Sequence, residues 1–145
     1  MAVPKIKFEP SVPKGAREEL KALIAPNLAM LDGEVKVLRV GLKTGADVGE
    51  DGEASTMTLR RYHFAVVALD PSFFGLSGAE KRQVITHECV HILHALYSRE
   101  VEHILQHLMG EEVQNYVFSR LCEAEERVVN AFADALDIAR ARGVN

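Results

Sequence analysis

The stretch Val84-Ile85-Thr86-His87-Glu88-Cys89-Val90-His91-Ile92-Leu93 constrains this chain more than any other. On a helix, two histidines four residues apart lie one turn apart on the same face. Neutral imidazoles at that spacing can grip one small cation and leave room for a third protein ligand and a water, which is the zinc reading of His-Glu-x-x-His. Glu88 sits beside them, placed to take a proton from that water. The flanking residues supply the helix. Ser77-Gly78-Ala79-Glu80 reads as a capping box, with Ser77 as N-cap and Glu80 reaching back. Val84, Ile85, Cys89, Ile92, Leu93 and Leu96 recur at helical spacing, and no proline interrupts before Tyr97, so a helix is predicted from about Gly78 to Tyr97. Apart from Glu88, no charged residue occurs from Val84 to Leu93, as expected of a helix buried under a metal.

A chain of 145 residues is expected to form one domain, 1–145, with a single core. Its 48% hydrophobic and 26% charged residues are ordinary for a globular protein. A net charge of −4 speaks against nucleic-acid binding. No stretch approaches a membrane span, and Met1-Ala2-Val3-Pro4-Lys5 lacks the apolar core of a signal peptide. Two cysteines are too few for a disulfide framework, so a reducing cytoplasm is the expected setting. Cys89 points away from the histidine face and reads as a small core residue.

Taken in order, residues 1–15 carry Pro4, Pro10 and Pro13 and read as an irregular leader. Ala16 to Leu31 has a helical pattern with a kink or break expected at Pro26. Val35 to Val40 alternates like a strand, and the Gly- and Asp-rich Gly41 to Ser55 reads as a loop. Met57 to Leu69 is expected as a second strand, ended by Asp70-Pro71. After the motif helix, Glu100 to Met109 reads as a shorter helix, and Glu111 to Arg142 as a long one, in one or two pieces, stopped by Gly143. The expected class is α+β: a small antiparallel sheet packed on the motif helix, followed by C-terminal helices.

A catalytic zinc site needs a third ligand and one open position. Glu123, Glu125 and Glu126 are on offer in the C-terminal helix. Of these, Glu125 lies nearer the centre of the apolar stripe Leu121, Val128, Phe132 and Leu136, while Glu126 lies toward the edge formed by Cys122, Val129 and Ala133. Wheel geometry leaves both in play.

At this point the chain resembles the gluzincin metallopeptidases, in which a glutamate on a downstream helix completes the metal site. Glu126-Arg127-Val128-Val129-Asn130-Ala131-Phe132-Ala133 is similar to the Glu-x-x-Ala-Asn-x-Phe-Ala pattern of the ImmA/IrrE-type peptidases of phages and bacteria, departing from it at Val129. That resemblance implies a zincin-like fold, Zn2+ as cofactor, and His87, His91 and Glu126 as its ligands. It places Asn130 where a side chain can hydrogen-bond the outer nitrogen of a liganding histidine. Glu125-Glu126-Arg127-Val128-Val129 is also similar to the Glu-Glu pair of short phage-encoded zincins, which keeps Glu125 in play.

The implied activity is peptide hydrolysis, with Glu88 as general base, a protein or peptide as substrate held by an edge strand within 57–69, and a phage or prophage origin. Two other roles use the same residues: a regulatory protein that binds a partner with little or no cleavage, and a structural metal domain. A structural site would fill the open position with a protein ligand, His94 being nearest in sequence. As a residue three beyond His91, His94 otherwise falls off the axis of the pair. His103 and His107 repeat the spacing of the first pair, but no glutamate follows His103. Tyr97, Tyr116, Arg120 and His63 are the candidate oxyanion donors.

Overall fold

Four residues of simple alternation, Lys5-Ile6-Lys7-Phe8, open the fold as strand β1. The structure, a computed structural model, describes residues 3–33, 35–50, 52–59, 63–108 and 110–143. Tyr62 of the expected second strand and Met109 at the expected helix end lie outside the described residues, as do the side chains of Leu96 and Tyr97. The chain forms two compact units, Met1–Leu93 and His94–Asn145.

In the first unit, β1 is followed by helix α1 (Arg17–Ile24) and a 3-10 segment (Ala25–Leu31) that carries Pro26 near its start. Proline removes one backbone donor, which ends the α-helical ladder where the break was expected. Strands β2 (Val37–Leu42), β3 (Ala54–Leu59) and β4 (Phe64–Leu69) complete a four-stranded sheet of order β1-β2-β4-β3. The architecture is α+β, but the sheet is mixed rather than antiparallel. β1 pairs with β2 and β2 with β4 in parallel, and only β3 and β4 are antiparallel. The physical cause is the connection: α1 and the 3-10 segment carry the chain from the end of β1 back to the start of β2, and such a crossover joins parallel strands. Leader residues 5–8 are therefore part of the sheet. The run Met57 to Leu69, expected as one strand, is shared by two, since β3 ends at Leu59 and β4 begins at Phe64. His63, just before β4, has a positive φ of 49°.

One face of the sheet carries Leu38, Val40, Ala65, Val67 and Leu69, all buried. Ile85, Cys89 and Ile92 belong to the same apolar cluster, together with Leu20, Ile24 and Phe73. Each of the larger side chains contributes roughly 1.5–3 kcal/mol by leaving water. Cys89, 1% exposed, is the small core residue expected. Two polar anchors shape the loops beside the sheet. Lys43 is buried and its ammonium donates to the carbonyls of Glu50 and Gly52, pinning the segment that leads into β3. Asp70 caps the 3-10 turn Pro71–Gly75, accepting from the amides of Ser72 and Gly49. Those backbone bonds, that of Ser72 first, hold its carboxyl below the usual carboxylate range.

Helix α2 runs unbroken from Gly78 to Leu108, and α3 from Glu111 to Ala141. The two helices expected between Gly78 and Met109 are thus one, since Ser98-Arg99-Glu100 holds nothing that stops a helix. In the second unit, part of α2 between His94 and Val101 and part of α3 between Phe118 and Val128 line a groove of about 160 Å³. Gly143, with φ 70°, closes the end of α3 in the left-handed conformation that favours glycine. No helix among the described residues is long and apolar enough to cross a membrane.

Candidate metal centre

Both bonds of the expected capping box form. Glu80 N–H donates to Ser77 Oγ at 3.3 Å, and Ser77 N–H donates to Glu80 Oε2 at 2.8 Å. Hydrogen bonding of the Glu80 carboxyl by Ser77, from its side chain first and its backbone N–H second, holds that carboxyl below its usual value. The cap fixes where α2 begins, and the burial of Ile85, Cys89 and Ile92 fixes how it is rotated. Together they point His87 and His91 the same way.

The two imidazoles are half-buried and lie edge to face, with centroids 4.6 Å apart and planes at 75°. Their Nε2 atoms approach to 3.0 Å. Two ligands at ordinary zinc–nitrogen distances in a tetrahedral shell would stand roughly 3.3 Å apart. The pair therefore presents its donor atoms at nearly the separation a zinc ion needs, and the nitrogen chemistry suits it.

Glu88 leaves the helix about a quarter turn from His87 and is 6% exposed. A buried carboxylate is costly without a partner. Its partner is Thr56 on β3, whose hydroxyl donates to Glu88 Oε2 and lies 3.4 Å from the Glu88 carbonyl oxygen. Sequence reasoning had not singled out Thr56, which stands 32 residues away. The one available signal was that the otherwise uncharged stretch Val84 to Leu93 carried a glutamate that had to find a polar partner.

Thr56 also marks the free side of the sheet. Asp70 N–H donates to the Glu53 carbonyl, and residues 53 and 70 are opposite each other in the β3–β4 register. Antiparallel pairs alternate between bonded and non-bonded. Ser55, Met57 and Leu59 are thus the residues bonded to β4. Ala54, Thr56 and Thr58 turn their backbone N–H and C=O groups away from it, toward the open edge.

No family model, no curated protein and no solved structure matches the chain.

The three glutamates of α3 have different surroundings. Glu123 pairs with Arg120 at 3.1 Å. Glu125 lies 3.2 Å from His94 Nδ1, which is also 3.0 Å from Ser98 Oγ. Glu126 is exposed, and Asn130 is exposed one turn later. The burial of α3 also differs from the expected stripe. Leu121, Val128 and Phe132 are 38%, 52% and 48% exposed, while Val129 and Ala133 are buried. The face of α3 that is covered is thus the one shared by Glu126, Val129 and Ala133, three and seven residues apart.

The other candidates are placed as follows. Tyr116 is 69% exposed on α3, and Arg120 is engaged with Glu123. His63 stands at the head of β4, roughly 13 Å along the strand from Val67, the residue opposite Thr56. His103 and His107 are exposed, and His107 Nδ1 lies 2.8 Å from the His103 carbonyl, a contact that occupies one of its two nitrogens.

Proposed function

We propose that the chain is a zinc-dependent metallopeptidase of gluzincin type with a zincin-like arrangement, in which His87, His91 and Glu126 hold one zinc ion. The observation that carries this reading is the convergence of the two histidine Nε2 atoms, 3.0 Å apart, on a helix whose next residue is a buried carboxylate. Glu126 is preferred over its neighbours because it shares the face of α3 on which Val129 and Ala133 are buried, and because the resemblance of residues 126–133 to the Glu-x-x-Ala-Asn-x-Phe-Ala pattern puts the ligand there. Zinc held there supplies a Lewis acid that makes a coordinated water acidic near neutral pH.

The chain's own residues do the rest. Glu88 takes the proton from the attacking water and returns it to the leaving amine. Thr56 holds its Oε2, which leaves Oε1 as the oxygen to accept the proton. An extended peptide is held by the outward N–H and C=O groups of Ala54, Thr56 and Thr58, as an added strand. Asn130 steadies a liganding histidine through its outer ring nitrogen.

The test is zinc content by elemental analysis combined with hydrolysis of casein and a diverse peptide library. Wild type is expected to hold about one zinc per chain and to lose it in His87→Ala or His91→Ala. Glu126→Ala should weaken binding far more than Glu123→Ala or Glu125→Ala. Glu88→Gln should keep zinc and lose at least roughly 100-fold in hydrolysis, the lower end of a general-base contribution. A purified protein that carries no zinc and takes none up ends the metallopeptidase reading. A Glu88→Gln variant as active as wild type ends the proposed mechanism and leaves the metal site standing.

A further inference from the structure

Thr56 joins two parts of the proposed site that lie 32 residues apart in the chain, β3 and α2. Its backbone belongs to the open edge of β3, facing outward in the ladder with β4. Its side chain leaves the face of the sheet and meets the carboxylate of Glu88 on α2. One hydroxyl reaches both Glu88 Oε2 and the Glu88 carbonyl oxygen. Since both groups it meets are acceptors, the hydroxyl proton goes to the carboxylate, the stronger of the two. Glu88 is 6% exposed, so water can do little to orient it.

We propose that Thr56 is the positioning residue of the general base. It fixes Glu88 Oε2 against β3, so that Oε1 faces the proton to be taken and the base is aligned by the same strand that holds the peptide. This rests on the metallopeptidase reading of the site. It adds to that reading a residue that touches neither metal nor reacting atoms, and a reason for the base to be held by the sheet rather than by its own helix. A glutamate on a helix has three rotatable bonds and, without a fixed donor, spreads over several rotamers. The Thr56 hydroxyl selects one of them. Because the donor sits on β3, a peptide added to that strand and the base that serves it share one frame.

The variants that separate this from simple packing are Thr56→Val, which keeps the shape and removes the hydroxyl, and Thr56→Ser, which keeps the hydroxyl and removes a methyl. Three readouts are used on the zinc-loaded protein. The first is zinc affinity by competition with a chelator. The second is binding of acetohydroxamate, which chelates a metal through two oxygens and donates a proton to a neighbouring carboxylate, and so reports the placement of Glu88 without any knowledge of the natural substrate. The third is the split between kcat and KM on the best peptide found.

Thr56→Val should leave zinc affinity within about threefold and weaken acetohydroxamate about tenfold, as expected for one lost hydrogen bond to a charged group. It should lower kcat by a similar factor with KM little changed. Thr56→Ser should recover most of both losses. Glu88→Gln and Thr56→Val should not add in the hydroxamate assay, because both act on one carboxylate. Hydroxamate affinity in Thr56→Val equal to wild type overturns the proposal, and so does a serine variant as weak as the valine one. A valine variant that loses zinc along with hydroxamate also overturns it, by showing a structural role. Wild-type protein that binds no zinc defeats the metallopeptidase reading first and this proposal with it. Zinc-loaded wild type whose hydroxamate binding ignores Thr56 defeats this proposal alone.

Discussion

Helix α2 is one helix in two settings. From Gly78 to Leu93 it buries Ile85, Cys89, Val90 and Ile92, and three of these join the cluster that covers the sheet. From His94 to Leu108 its buried apolar residue, among those described, is Leu105, while Ile104 and Leu108 are 53% and 73% exposed. Its companion α3 likewise exposes Val113, Tyr116, Val128, Phe132 and Ile138. The proposed site draws on both settings. The histidines and Glu88 stand where a packed core fixes the backbone, and Glu126 stands on a helix with little core of its own. In that proposal the two histidine ligands come from a packed element and the third from a thinly packed one.

The largest effect should come from the packed half. Ile85→Ala removes a fully buried side chain beneath the sheet and should cost about 3 kcal/mol in denaturant unfolding. Leu121→Ala, at 38% exposure in the other unit, should cost less than about 1 kcal/mol. Equal losses would mean that the two halves are not differently packed in solution.

Zinc should act in the opposite place. A ligand that binds only the folded form at a hundred times its Kd adds about 2.7 kcal/mol to stability. If Glu126 is a ligand, hydrogen exchange along α3 should slow on zinc addition, by up to about a hundredfold where exchange proceeds through opening of the site, and β2 and β4 should change least. Zinc that protects α2 and leaves α3 unaltered would remove Glu126 from the ligand set. A smaller effect is expected from Ser77→Ala, about 1 kcal/mol, since it takes one hydrogen bond from the start of the packed half.

What the sequence disclosed follows the range of the interactions involved. The capping box and the same-face histidines were legible because each depends on residues within one turn. The helix break at Pro26 was legible for the same reason. Strand β1 was obscured because four residues between Pro4 and Pro10 give little alternation to weigh against two prolines, and its pairing is supplied by β2 more than 30 residues on. The division into β3 and β4 was obscured because the sequence from Met57 to Leu69 contains no glycine, proline or asparagine. His63 takes the positive φ that a glycine would have announced. On α3 wheel geometry left two faces in play, and the stripe of larger residues is not the covered one. Val129 and Ala133, smaller than Leu121 and Phe132, are the residues covered, and a wheel cannot see which face has a neighbour. The Thr56–Glu88 bond was beyond any local pattern because only the sheet brings the two together.

The smallest effect concerns the two cysteines, one in each setting. Cys89 is 1% exposed in the packed half, and Cys122 is an exposed residue of α3. Burial of its sulfur first, and then the carboxylates of Glu125, Glu102 and Glu126, push the Cys122 thiol above its ordinary pKa. Both causes disfavour the thiolate, the form that reacts with alkylating agents. The neutral thiol should therefore persist to higher pH than in free cysteine. Alkylation of the native protein by iodoacetamide, followed by mass spectrometry across pH 7 to about 11, should modify Cys122 with an inflection above that of free cysteine run alongside. Cys89 should stay unmodified until the protein unfolds. Glu125→Gln removes the first of the three charges and should bring the Cys122 inflection part of the way down, while Glu102→Gln should move it less. An inflection at or below that of free cysteine would show that in solution α2 and α3 do not hold their carboxylates around the sulfur. The thinly packed unit would then be looser than its hairpin of helices implies, and the contrast between the two halves of α2 would be sharper still.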